Sequence, residues 1–277
     1  MTEFAPTRLS MADIPSNVRL ARDVGWPDTD GDWRVVHEGA IVVGLRAGGS
    51  LVAQGALGLY GGAGTIAKMI VAPRFQRRGL GEQILKALLD QAERRSMEVL
   101  GLIATPFGRP LYERWGFRRV GDVVGLAGTP AGLSSSDEGT SPKQLEELLR
   151  LDQRCLGCSR EAMLRARFRE AVAVASVAKP DGDLGGYALA TGQGAQCVVG
   201  PVIADTEVQA RALVQAIFRN VSGPVRIDVP GEQAEFLRWL CELGLREDKR
   251  RSEMARGSQS LPWQVPERFA LAAQAWG

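Results

Sequence analysis

Three pairs of residues stand 128 positions apart: Pro73 and Pro201, Leu85 and Leu213, Gly116 and Gly244. Around them a shared order recurs: a V-x-P step, a helix core, then helix, glycine, apolar residue and strand, WGFRR against LGLRE. One offset held over several anchors points to an internal duplication, which allows far fewer folds than composition does. The 277 residues then divide into two units of ordinary domain size. Between them runs AGTPAGLSSSDEGTSP, residues 127–142, rich in Gly, Ser, Pro and Thr and without apolar periodicity. Ser141, Pro142 and Gln144 stand as N-cap, N1 and N3 of a following helix, a capping box. The boundary is therefore expected near residue 135, with units 1–135 and 136–277.

Periodicity predicts, in the first unit, a helix over 11–24 and strands over 34–46, 51–60 and 64–73. A helix over 79–95, a strand over 98–104, a short helix over 108–115 and a strand over 117–126 follow. The second unit repeats that order: helices 142–155 and 159–170, strands 171–178, 185–191 and 195–203, helix 206–220, strand 224–229, helix 231–243, strand 247–256. Both units read as α/β, in the α+β sense, with mostly antiparallel strands.

Forty-five per cent apolar and 24% charged residues describe a globular chain. A formal charge of +2 is too small for a dedicated nucleic-acid binder, and the clusters Arg77-Arg78 and Lys249-Arg250-Arg251 are isolated. No apolar run reaches the roughly 18–20 residues of a membrane span, and the opening MTEFAPTRLSMADIP lacks the pattern of a secretion signal. A cytoplasmic location is expected, with no membrane or nucleic-acid partner. Cys155 and Cys158 form a CxxC, but Cys197 and Cys241 make no second pair and His37 is far off, so the cysteines read as packing residues and no metal is expected.

The stretch KMIVAPRFQRRGLGEQILKALL, residues 68–89, runs from a strand through an arginine- and glycine-rich loop into a helix. A helix start leaves its first N–H groups without intrahelical partners and carries partial positive charge. Glycine removes the Cβ that would hold a ligand away, so Gly79 and Gly81 can open those amides to a phosphate, with Arg77 and Arg78 adding charge. The same pattern also fits a glycine-softened turn with solvated arginines.

IVAPRFQRRGLG resembles the acetyl-CoA signature of the GNAT N-acetyltransferase superfamily, V-x-P-x-x-Q/R-x-x-G-x-G/A, at every fixed position. PLYERWGF, residues 110–117, is similar to that family's short helix and turn after the fifth strand, and the whole chain resembles a bacterial group of tandem GNAT proteins with a degenerate C-terminal copy. The resemblance implies two GNAT folds, each a mixed, mostly antiparallel sheet flanked by helices, and acetyl-CoA as acyl donor. It implies backbone contacts to the cofactor from Met69, Ile70 and Val71, and from Gln76, Arg77, Arg78, Gly79, Leu80, Gly81 and Glu82. An amide near Ile70 would polarise the thioester carbonyl, and Tyr112 would protonate the departing thiolate. Thr105 stands where many relatives carry an Asn that touches the cofactor arm.

The implied activity is acetyl transfer to an amine, expected to be a small molecule, by direct attack in a ternary complex. The alternatives are a peptide N-terminus or thiol-containing metabolite as acceptor, or a non-catalytic acetyl-CoA sensor. Trp26, Asp32 and Trp33, around the loop PDTDGD, are candidate walls of the acceptor pocket, with core packing of both indoles the equal alternative, and an acidic loop beside aromatic rings favours a cationic amine. His37, read at the start of a strand, is assigned a structural or surface role, and the sequence names no general base. At the 128 offset, Gln76 through Gly81 face Ala204 through Gln209, with both glycines lost and two carboxylates gained, and Tyr112 faces Leu240. The second copy is thus expected to bind no CoA and to close the acceptor pocket. A monomer or homodimer is expected.

Overall fold

The computed structural model describes residues 5–130 and 145–276. The boundary near 135 and the capping box at Ser141, Pro142 and Gln144 lie outside the described residues. The first half runs β1 (Thr7–Arg8), α1 (Ile14–Asp23), α2 (Asp30–Gly39), β2 (Ala40–Ala47), β3 (Ser50–Tyr60), β4 (Ala63–Val71), α3 (Leu80–Glu93), β5 (Val99–Ala104), α4 (Arg109–Arg114) and β6 (Arg118–Gly128). The second runs α5 (Leu145–Leu156), α6 (Glu161–Arg169), β7 (Ala171–Ala178), β8 (Leu184–Gln193), β9 (Gln196–Ala204), α7 (Glu207–Asn220), β10 (Val225–Pro230), α8 (Ala234–Glu242) and β11 (Arg246–Arg256), and then a short β12 (Arg268–Ala270). Among the described residues, no helix is long and apolar enough to cross a membrane.

The halves do not keep their strands to themselves. One sheet carries all twelve, in the order β1-β2-β3-β4-β5-β11-β6-β10-β9-β8-β7, with β12 beside β9. β11 of the second half pairs with β5 of the first, Met254 opposite Leu102, while β6 of the first pairs with β10 of the second, Ile227 opposite Leu126. The two exchanged strands lie antiparallel at the centre, Arg251 opposite Val123, so each half is completed by the other's last long strand. Packing follows the exchange: Met254 joins the apolar cluster of α3 and its sheet, and Val124 and Leu126 join that of α7. A third cluster crosses between halves, joining Trp33 and Val36 to Leu164 and Tyr187. There α2 and α6 approach closely, a Cβ at Gly39 falling only 2.8 Å from that of Met163.

The elements expected from periodicity are present, with one of them corrected and the short strands β1 and β12 added. Residues 34–39, read as the start of a strand, are helical, which puts His37 on α2. The run Val35-Val36 looked continuous with Ile41-Val42-Val43. A capping box at Thr29 and Asp32 starts a helix there instead, with Trp33, Val36 and Gly39 on its buried face.

The repeat register also needs correcting. Gly116 and Gly244 are equivalent: each takes a left-handed φ, 82° and 96°, immediately before an exchanged strand. Leu85 and Leu213 both lie buried on the sheet-facing sides of α3 and α7. Pro73 and Pro201 are not equivalent, because Pro73 follows β4 whereas Pro201 lies inside β9. The cause is length: residues 72–79 join β4 to α3, but only Asp205 and Thr206 join β9 to α7. In the second copy the glycine loop is shortened away rather than substituted.

Candidate active site

Both halves carry a bulge at the same point of their sheets. Ala56 pairs with Ala67 but Gln54 with Ile70, so Lys68 and Met69 together face Gly55. The extra residue puts Lys68 at φ 53°, kinks β4 and ends its pairing with β5. Those two strands are registered only from Ala63 opposite Val99 to Ile66 opposite Leu102, and beyond that a wedge opens. In the second half Gly200 and Pro201 bulge against Leu189, and β9 and β10 likewise part after Val199 and Ile227.

The two wedges have different fates. In the second, β12 enters the gap: Ala204 N donates to Glu267 O at 3.0 Å and Leu271 N to Asp228 O at 2.9 Å. The fill is tight, since a Cβ on Gly200 would fall 1.9 Å from Leu271 O. The first wedge opens on a cavity of about 490 Å³. Lining it are Met69, Ile70 and Val71 of β4, Gly79, Leu80 and Gly81 at the start of α3, and Thr105 and Tyr112 beyond β5.

At the α3 start, Arg77 (φ 60°) and Gly79 (φ 77°) are left-handed and no side chain caps the helix. A non-glycine residue in that region costs about 1–2 kcal/mol, and such strain concentrates where backbone amides are aimed at a ligand. The contrast with α7 is direct: Thr206 Oγ1 accepts from Gln209 N at 3.3 Å and the Gln209 side chain returns to Thr206, closing that helix start. Asp205 is tied to Lys179 and Glu207 to Arg211. The α3 amides and the empty wedge beside them suit a phosphate with an extended arm; the equivalent features of the second half are capped and filled. Leu240 is fully buried in the apolar cluster of α7.

Tyr112 is buried on α4, edge-on to Phe117 with centroids 6.0 Å apart, and its hydroxyl makes no hydrogen bond among the described residues. Burial raises its pKa well above the usual phenol value, so it is a neutral O–H donor across the physiological range. Thr105 Oγ1 accepts from Gly108 N at 3.1 Å, holding the turn into α4, and Gln76 Nε2 donates to Val71 O at 3.1 Å, tying the loop to the end of β4.

Of the other residues singled out from sequence, Arg77, Trp26 and Asp32 line the cavity, while Arg78, Glu82 and Trp33 do not. Arg78 packs over the Phe75 ring and Glu82 accepts from Trp115 Nε1. Trp33 is fully buried. The aromatic pair does hold a cation, but an internal one. Lys68 Nζ lies 5.7 Å from the Trp26 ring and 5.6 Å from the Trp33 ring, and 2.7 Å from Asp28 Oδ2, a nearly buried ion pair. Asp32 caps α2 by accepting from Thr29 N and Oγ1, both at 2.8 Å. His37 Nε2 bonds Asn17 Oδ1 at 2.9 Å, burial lowers its pKa, and it does not line the cavity. Cys155 and Cys158 are free thiols, the latter pushed up to about 11 by burial, and no group of three metal-ligating side chains occurs among the described residues.

Sequence reasoning missed the far wall. Arg167 of α6, Thr191 and Gln193 of β8, Arg251 of β11 and the tail residues Gln274 and Trp276 all border the same cavity. Nothing local marks them: they come from four places in the chain, brought together only by the exchange of β6 and β11 and by the path of the tail.

Residues 33–131 match a family model described as an acetyltransferase (GNAT) domain, and residues 148–270 match a second model of the same description. The chain belongs to the GNAT acetyltransferase family. As a tandem GNAT protein it is 28% identical over 278 residues to the uncharacterized N-acetyltransferase YitH of Bacillus subtilis, covering 98% of this chain and 97% of the relative. Its fold is shared with a Pyrococcus horikoshii protein assigned to the acetyltransferases, at a TM-score of 0.81 with 19% identity, over 100% of this chain and 97% of that one. A tandem GNAT protein from the clavulanic acid biosynthesis pathway superposes at a TM-score of 0.65 with 14% identity, over 93% and 99% of the two chains. GNAT acetyltransferases generally use acetyl-CoA.

Proposed function

We propose that this chain transfers acetyl from acetyl-CoA to a small amine by direct attack in a ternary complex, with one cofactor site per chain, in the first half. The observation that carries this reading is the convergence on one cavity of an uncapped helix start, a splayed strand and a buried phenol. The N–H groups of Gly79 through Glu82 would hold the pyrophosphate, favoured by the helix dipole. The unpaired edge of β4 at Met69 to Val71 would hydrogen-bond the pantetheine arm, and an amide next to Ile70, on the edge turned away from β3, would donate to the thioester oxygen. Bound there, acetyl-CoA supplies an electrophilic acyl carbon and a thiolate leaving group.

The acceptor amine forms the new carbon–nitrogen bond as the carbon–sulfur bond breaks. Tyr112 gives its phenolic proton to the sulfur, and the surplus proton on nitrogen passes through water back to the Tyr112 oxygen, which restores the neutral phenol. Burial disfavours phenolate and thiolate alike, so the two stay matched in basicity although Tyr112 is a weaker acid than free phenol. The second half contributes walls in place of a second cofactor site, since its wedge holds β12 and its helix start is capped.

Acetyl-CoA should raise the melting temperature of the protein. Gly79→Val, which forces a β-branched residue to φ 77°, should abolish that rise. No shift in the unmodified protein would sink the reading.

A further inference from the structure

The second half contributes four cations to the cavity wall, Arg167, Arg226, Lys249 and Arg251, against one carboxylate, the exposed Glu170, among the described residues. Two of the cations are already matched: Arg226 pairs with Asp228 at 2.7 Å and Lys249 with Asp248 at 3.2 Å. Arg167 is not. It is 3% exposed, and its Nη2 donates only to neutral oxygens, Gly200 O at 2.8 Å and Thr191 Oγ1 at 3.2 Å. Its Nε has no partner, and no carboxylate of the described residues lies within the 4 Å of an ion pair. Arg251, half-buried on β11, likewise has a buried Nη1 without a partner among the described residues. Desolvation draws the pKa of Arg167 down to about 10, which still leaves the guanidinium charged near neutrality.

A buried cation without a counter-ion is costly to keep. The carboxylates lining the cavity relieve it only in part: Asp28 is held by Lys68 and Glu170 lies 3.8 Å from Arg34, while Asp32, bound into the cap of α2, acts on Arg167 through space without an ion-pair contact. Both guanidinium side chains line the cavity, and a planar guanidinium matches an oxyanion in two-pronged fashion. The geometry points to an acceptor that carries an oxyanion, a carboxylate or a phosphate, on the same molecule as its amine, with Arg167 and Arg251 holding the oxyanion while the amine reaches toward Ile70 and Tyr112. This rests on the acetyltransferase reading above and narrows its acceptor. It also reverses the expectation of a simple cationic amine, because the aromatic pair that prompted it is occupied by Lys68.

The test is thiol release from acetyl-CoA by the full chain with matched acceptors: amino acids, their decarboxylated amines, and aminoalkyl phosphates. Oxyanion-bearing amines should exceed the decarboxylated ones by about tenfold or more in kcat/KM, and preference between the first and third sets identifies the oxyanion. Arg167→Gln should raise KM for the preferred acceptor about tenfold or more while keeping the acetyl-CoA melting shift. Equal or better turnover of decarboxylated amines overturns the inference and leaves acetyl transfer standing. So does an unchanged acceptor KM, or loss of the acetyl-CoA shift, which would assign Arg167 to the cofactor. If Arg167→Gln does not fold, the acceptor comparison on the unmodified protein decides alone. Neither shift nor turnover in the unmodified protein would take down both readings.

Discussion

At the scale of single residues, Tyr112 is the sharpest commitment of the site. Tyr112→Phe removes one oxygen from a position whose hydroxyl makes no hydrogen bond to the described residues, so the fold should lose little. A general acid contributes roughly 10²–10⁴-fold, and kcat should fall by about the lower figure with an unchanged acetyl-CoA melting shift. Turnover that stays at the parent rate would remove Tyr112 from its role. A second residue-scale test concerns stability. Arg268 and Glu253 form a two-pronged pair, Nη1 to Oε1 and Nη2 to Oε2 both at 3.0 Å, with side chains 0% and 1% exposed. Removing one partner strands a buried charge, so Arg268→Met should destabilise by about 3–5 kcal/mol. Arg268→Met with Glu253→Gln should recover much of that loss in denaturant melts, and a double variant no better than the single would show that packing, not charge, dominates. Tyr112 was legible in the sequence because its neighbours Pro110 to Phe117 form a recognisable unit. Arg167 was not, being one of three arginines in RARFR with nothing local to set it apart.

At the scale of elements, the deciding contrast is between helix starts. The chain closes α2 with Thr29 and Asp32 and α7 with Thr206 and Gln209, yet leaves α3 open after Gly79. Side-chain caps are also absent from α1, α4, α6 and α8, so what sets α3 apart is an open start at a left-handed glycine with Gly79, Leu80 and Gly81 on the cavity wall. Thr29→Ala should cost about 1 kcal/mol and lower the melting temperature by a few degrees in a chain of this size. Because α2 carries Asp32 and Val35 into the cavity wall, the same change should also weaken acceptor binding; a calorimetric scan superimposable on the parent would contradict the capping assignment. The strand-to-helix order of both halves was readable from periodicity, since apolar spacing is a local signal. The start of α2 was misread for an equally physical reason: β-branched residues on a helix face and in a strand look alike over a short window, and only the cap at Thr29 separates them. β12 gave no warning, because three residues that fill a gap between other strands have no period of their own.

At the scale of the whole molecule, duplication was legible and exchange was not. A constant offset reports common ancestry of the two halves, but it says nothing about whose last strand pairs with whom, and β6 and β11 are alike enough in length and position for either arrangement to satisfy local rules. The exchanged order β5-β11-β6-β10 makes a testable statement about integrity. Cleavage at a protease site placed between residues 130 and 145 should leave both fragments eluting together, because each sheet half includes a strand from the other. Separation of the fragments in native buffer would contradict the strand order. The same feature sets a timetable for synthesis. β11 comes out of the ribosome long after β5, so the first half, which holds the whole proposed cofactor site, waits through more than a hundred further residues with the edge of β5 unpaired and Leu102 uncovered. Its active unit is the first to be made and cannot be the first to be finished.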